Sequence, residues 1–218
     1  MTKIERKQKI GFGSFGKMEL SFLEGAVISS FFPEGKDMTI KEIIERLDNY
    51  YSYERVNSTL KSMADKKIVK EDKKGKTLVY FLDMDHLYSE TGFDHYMLQR
   101  EIDFMKKNKI VYNAIKEIMN NHHIWMVVLF GSYSKGTESN QSDVDIICVS
   151  TKNKEIEHFV KSLKYKYNLE FAPIILSPDE FPNIKKDNLE LWNDLKMYGI
   201  VFKGEDTFYY WMYKDEKN

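Results

Sequence analysis

The spacing of apolar and polar residues changes character along the chain and divides it into two halves. From about residue 17 to Ser30, Leu20, Leu23, Ala26 and Val27 recur at helical spacing, and Pro33-Glu34-Gly35 ends the run. Thr39-Ile40-Lys41-Glu42 then has the form of a capping box, in which the hydroxyl and the carboxylate each accept a backbone N–H of a starting helix. Ile43, Ile44 and Leu47 give that helix its apolar side. Ser52 is placed to cap a third helix reaching about Lys66, with Val56, Leu60 and Met63 on its inner face. Ile68-Val69-Lys70, a basic turn at Lys73–Lys76 and Thr77–Leu82 predict a β-hairpin. Residues 92–121 return to helical spacing (Met97, Ile102, Phe104, Met105, then Ile110, Val111, Ala114, Ile115, Ile118), broken at Lys106–Lys109. The first of these helices either joins two domains or pairs with a second subunit, and the second suits packing on a sheet.

The second half begins with an apolar strand, Trp125–Phe130, that runs directly into Gly131-Ser132. Asp143 and Asp145 follow in a second strand, Asp143–Val149. Side chains alternate along a strand, so these two carboxylates share one face while Val144 and Ile146 take the other. Adjacent carboxylates repel unless a cation lies between them, and Mg²⁺ suits such oxygen ligands while keeping water and phosphate in its shell. Gly131 lets backbone N–H groups come close to a phosphate, and the Ser132 hydroxyl adds a donor. A helix over about 155–167 and a strand over Leu169–Leu176 complete the pattern.

Gly-Ser, a spacer and Asp-x-Asp in an apolar strand resemble the nucleotidyltransferase superfamily of DNA polymerase beta. The likeness is greatest to its minimal nucleotidyltransferase branch, whose members often read Gly-Ser-x-x-x-Gly and then Ser-Asp-x-Asp; Gly131, Ser132, Gly136, Ser142, Asp143 and Asp145 match. The three helices and hairpin resemble a winged helix-turn-helix domain. The expected fold is therefore α/β (α+β): a winged helix-turn-helix, then a mixed sheet flanked by helices. Its expected bounds are an N-terminal arm at 1–16, a winged helix at 17–90, a connecting helix at 91–108 and a nucleotidyltransferase domain at 109–218.

The resemblance implies transfer of a nucleoside monophosphate from a nucleoside triphosphate, ATP by preference, to a hydroxyl acceptor. Asp143 and Asp145 would hold two Mg²⁺ ions. Glu170, the acid of the Leu169–Leu176 strand, would be the third carboxylate, as metal ligand or as base, although Ala172 and Pro173 occupy the middle of that strand. Gly131, Ser132, Lys135 and Ser142 would bind the nucleotide. A protein acceptor or toxin partner is implied by the same branch. The other reading is a transcriptional regulator whose transferase-like domain senses nucleotide without turnover.

Charge adds a local feature and no global one. Lys plus Arg (33) nearly balance Asp plus Glu (34), yet Arg55 to Lys76 holds a basic excess. Arg55, Asn57, Ser58 and Lys61 on the third helix, with Lys73, Lys74 and Lys76 on the hairpin, are residue types that meet base edges and phosphates, which points to double-stranded DNA, dimerisation or protein docking being the other uses of such a domain. The lone cysteine, Cys148, excludes an intramolecular disulfide and reads as a small core residue. No apolar run approaches the ~18–20 residues of a membrane span, and the start of the chain lacks a signal-peptide core, so a cytoplasmic location with no membrane partner is expected.

Three local patterns carry less. Gly11-Phe12-Gly13-Ser14-Phe15-Gly16 spells a dinucleotide fingerprint but follows no apolar strand, and a flexible arm is the better reading. His122 and His123 precede the first strand of the second half; adjacent histidines would point apart on a strand and have no further ligands for zinc, so surface or turn residues are the better reading. The aromatic run Phe208–Tyr213 reads as packing against the domain or a partner subunit rather than as a base-stacking platform.

Overall fold

The computed structural model describes residues 20–214, so the Gly11–Gly16 pattern and the expected N-terminal arm lie outside the described residues. Helix α1 (Phe22–Ser30) starts with a capping box: Glu24 N–H donates to Ser21 Oγ at 3.2 Å and Ser21 N–H donates to Glu24 Oε2 at 2.8 Å. Helix α2 (Ile40–Arg46) repeats the device, with Thr39 N–H to Glu42 Oε2 at 2.7 Å and Glu42 N–H to Thr39 Oγ1 at 3.3 Å. Removing that hydroxyl in Thr39→Ala leaves the Glu42 N–H without its acceptor, and a stability loss of about 0.5–2 kcal/mol is expected in urea titration. A loss below experimental error would show that tertiary packing alone holds α2. Helix α3 (Tyr53–Asp65) is capped by Ser52, and its buried side is Val56, Leu60 and Met63. Strands β1 (Val69–Lys74) and β2 (Thr77–Leu82) pair antiparallel, with Lys74 opposite Thr77.

Helix α4 (Leu87–Lys107) begins earlier than its apolar spacing implies, because His86 caps it by accepting the Tyr88 N–H at 3.2 Å. Its first turns pack on α1, where Ser29 Oγ donates to Gly92 O at 3.0 Å. Asn108 separates it from α5 (Lys109–Met119), so the Lys106–Lys109 run does mark the break. The remaining elements are β3 (Ile124–Leu129), α6 (Gly131–Lys135), β4 (Val144–Ser150), α7 (Asn153–Ser162), α8 (Lys164–Tyr167), β5 (Phe171–Leu176), α9 (Ile184–Asp187), α10 (Leu189–Tyr198), β6 (Ile200–Lys203) and α11 (Glu205–Tyr209), closed by a π-helical turn over Tyr210–Lys214.

The sheet has the order β5-β4-β3-β6, with β4 parallel to β5 and the other pairs antiparallel. Val144, Ile146 and Cys148 pack with Ile115 and Ile118 of α5 and Ile156 and Val160 of α7. On the opposite face, Ile147 and Val149 join a core containing Trp192 and Leu195 of α10. Strand β6 is not among the elements expected from the sequence. Four residues, three of them buried, are too few to show a strand's alternation.

The second core continues into the winged helix without interruption. Phe93 lies 6.0 Å from Phe208, and Phe32 lies 5.3 Å from Phe93 and 5.2 Å from Tyr213. Tyr209 Oη donates to Met84 O at 2.7 Å and Tyr213 Oη to Pro33 O at 2.8 Å. The aromatic run is thus core, and it glues the two halves together. Burial pushes the Cys148 thiol up to about 12, so it stays protonated and inert. His122 and His123 lie in a turn before β3, as the sequence reading has them, and their ring centroids are 3.8 Å apart. No helix among the described residues is long and apolar enough to cross a membrane.

Candidate active site

The strand directions gather one set of ends. Leu129 at the end of β3 pairs with Ile146 near the start of β4 and with Ile200 at the start of β6, and Val144 pairs with Phe171 at the start of β5. Gly131, Asp143, Asp145, Glu170 and Gly199 therefore stand at one edge of the sheet.

Asp143 immediately precedes β4 rather than lying inside it, and Asp145 is half-buried in the strand. Burial pushes the Asp145 carboxyl up from the ordinary carboxylate range, and the Asp143 charge adds to the shift. Neither aspartate forms an ion pair or a side-chain hydrogen bond with a described residue. The Phe130 N–H donates to the Asp145 backbone oxygen at 3.0 Å, which fixes the end of β3 beside the carboxylates. Gly131 turns the chain at φ +69°, and a Cβ there would stand 2.8 Å from Asp145 Cγ. Side-by-side acids without a cationic partner, under a turn with no side chain, are a donor set that fits a hard divalent cation such as Mg²⁺.

The other expected nucleotide residues have varied fates. Ser132 opens the short helix α6, and its carbonyl accepts the Thr137 N–H at 3.0 Å, closing the turn. Lys135 is held by Asp194 Oδ1 of α10 at 2.6 Å and lies over the Tyr198 ring at 5.1 Å, so it braces α6 against α10. Ser142 Oγ accepts the Ser139 N–H at 2.9 Å and ties up the loop before Asp143. Glu170 does not join the aspartates. Its side chain is 67% exposed and faces Lys164 Nζ at 3.8 Å, and the residue beside Asp145 in β5 is Ala172. No group of three or more His, Cys, Asp or Glu residues suited to a metal assembles among the described residues.

Arg100 of α4 went unnoticed in the sequence because no motif surrounds it. Its guanidinium donates to Gly199 O at 2.7 Å, Tyr198 O at 2.8 Å and Ser134 O at 3.3 Å. It thus pins the connecting helix to α6 and to the end of α10.

On the winged helix, Arg55, Ser58 and Lys61 are exposed on α3 and Asn57 is half-buried. Lys74 is bound to Asp37 at 2.7 Å, whereas Lys73 and Lys76 at the hairpin tip, like Arg55 and Lys61, make no ion pair with a described residue. Arg55 stacks over Tyr51 at 5.3 Å.

Comparison with known proteins follows the same division. Residues 113–207 match the family described as polymerase beta, nucleotidyltransferase, and residues 20–124 match penicillinase repressor. Helix α5 falls largely inside both spans, as suits an element between two modules. A Methanocaldococcus jannaschii protein bearing the name "Putative protein adenylyltransferase" is 28% identical over 91 residues, covering 38% of this chain and 60% of that protein. A solved "putative nucleotidyltransferase" from Sulfolobus solfataricus is 20% identical, covering 49% of this chain and 85% of its own, at a TM-score of 0.26. The chain joins a penicillinase-repressor winged-helix domain to a polymerase beta nucleotidyltransferase domain.

Proposed function

We propose that this protein transfers a nucleoside monophosphate, from ATP by preference, to a hydroxyl acceptor, and that its winged helix binds double-stranded DNA. The observation that carries the transferase reading is the pair Asp143 and Asp145 under the Gly131 turn, with no ion pair to a cationic side chain among the described residues. Gly131 and Ser132 would orient the triphosphate through backbone N–H groups and the hydroxyl. Asp143 and Asp145 would hold Mg²⁺, which when bound offsets negative charge on the phosphates. Lys135 would act through α6, by way of its bond to Asp194, rather than on the phosphates directly.

Glu170 is left outside this scheme because it is turned to Lys164 and solvent. Glu170→Gln is expected to change transfer by less than about threefold, whereas loss of a general base costs roughly 10²–10⁴. A hundredfold loss would return Glu170 to the site. The test of the reading as a whole is incubation with Mg²⁺ and ATP labelled at the α-phosphate, alone and with cell lysate. Label reaching an acceptor supports the proposal; none on protein, nucleic acid or small molecule sinks it.

The second reading, a nucleotide-responsive regulator without turnover, is favoured by Ala172 standing where a third acid would lie beside Asp145. It predicts nucleotide binding that needs both aspartates, with no transfer. For the winged helix, Lys61→Ala is expected to weaken DNA binding alike across sequences and to lower the salt-dependence slope by about 1. An unchanged slope would take α3 off the phosphate backbone.

A further inference from the structure

A groove of about 910 Å³ lies apart from the aspartates, between the winged helix and the transferase half. Its volume falls within the roughly 300–1,000 Å³ usual for small-molecule sites. Phe22, Phe32, Tyr50, Tyr51, Tyr96 and Tyr198 supply aromatic faces from both halves. Charge among them is uneven. Arg46 is matched by Glu34 at 2.6 Å and also donates to Ser30 O and Phe32 O. Arg100 is held by backbone carbonyls and by the ring and hydroxyl of Tyr96, and no carboxylate among the described residues pairs with it. Asp48 at the rim is exposed to solvent. His95, the remaining titratable side chain of the wall, is engaged with Ser29 Oγ at 3.1 Å.

We propose that this groove binds a small aromatic anion, its ring between the tyrosines and its carboxylate or equivalent acid on Arg100. A guanidinium offers five N–H donors in a fixed fork, and Arg100 spends three bonds on backbone carbonyls and one on Tyr96, which leaves a donor and the full positive charge for an acid. An elongated polyanion such as a nucleic-acid end is disfavoured, because the wall has no lysine and its other arginine is already neutralised. The Arg100 guanidinium touches Ser134 O of α6, so a ligand here sits against the support of the Gly131 turn. This inference does not depend on nucleotide transfer.

The test is calorimetric titration of the full chain with 2-naphthoate and with 2-naphthamide, its neutral counterpart. One naphthoate per chain is expected, with the amide weaker by about tenfold, the worth of one charge-assisted contact. Arg100→Gln should abolish that preference. Tyr50→Ala, at a rim position 82% exposed and so of little consequence for folding, should weaken both ligands severalfold. Ala26→Trp, which fills the groove from α1, should block both, and these two variants decide the matter if Arg100→Gln does not fold. Equal affinity for acid and amide, binding untouched by Tyr50→Ala and Ala26→Trp, or a dimer that takes up no naphthoate would each overturn the proposal.

Discussion

Asp143→Asn and Asp145→Asn, singly or together, are expected to lower label transfer from ATP by roughly a thousandfold or more, the scale on which metal-held phosphoryl chemistry depends on its ligands. The same changes are expected to raise the melting temperature in the presence of a chelator. Asp145 is held above the ordinary carboxylate range by burial and by Asp143, so its ionised form opposes folding. That penalty is absent below the unfolded-state pKa and grows as pH rises through the raised folded-state value. At neutral pH an amide removes it. The gain is modest because Asp145 is only half-buried, on the order of 1–3 °C. Calorimetry from pH 4 to 8 on the metal-free proteins would show the wild type losing ground to Asp145→Asn as pH rises. Transfer retained at a tenth of wild type, or a variant that melts earlier at pH 7, would remove the aspartates from the roles proposed for them.

Gly131→Ala is expected to cost about a hundredfold in transfer together with stability. Alanine at φ +69° carries roughly 1–2 kcal/mol of backbone strain, which corresponds to a fall of about 2–8 °C for a protein of this size. The methyl also occupies the space of the Asp145 carboxylate, and a displacement near 1 Å at a reacting centre can cost 10²-fold. Gly136 separates the two effects. It has the same φ, yet a Cβ there meets nothing within 4 Å. Gly136→Ala should therefore melt earlier while keeping most of its transfer activity. Equal activity losses in the two variants would assign the effect of Gly131→Ala to the backbone and not to Asp145.

Much of this protein is local, and local features are legible in a sequence. Thr39 and Ser52 stand at the starts of helices because their hydroxyls satisfy N–H groups only a few residues away. Asp145 takes its face of the sheet from strand alternation, while Asp143 stands just ahead of the strand, and the matched families agree with the modules inferred from these patterns. What the tertiary structure decided involves partners far apart in the chain. Glu170 has the right chemistry, but strand register sets Ala172 beside Asp145 and leaves the acid to Lys164. Lys135 has the right position after the turn, but Asp194 captures it. Arg100 acquires its place only when α4 meets α6 and α10, and the aromatic groove exists only because two halves share a core through Phe32, Phe93 and Phe208. Residue type and short-range spacing determined the elements and the carboxylate pair; register and long-range packing, which no short pattern encodes, determined which charges remain free to act.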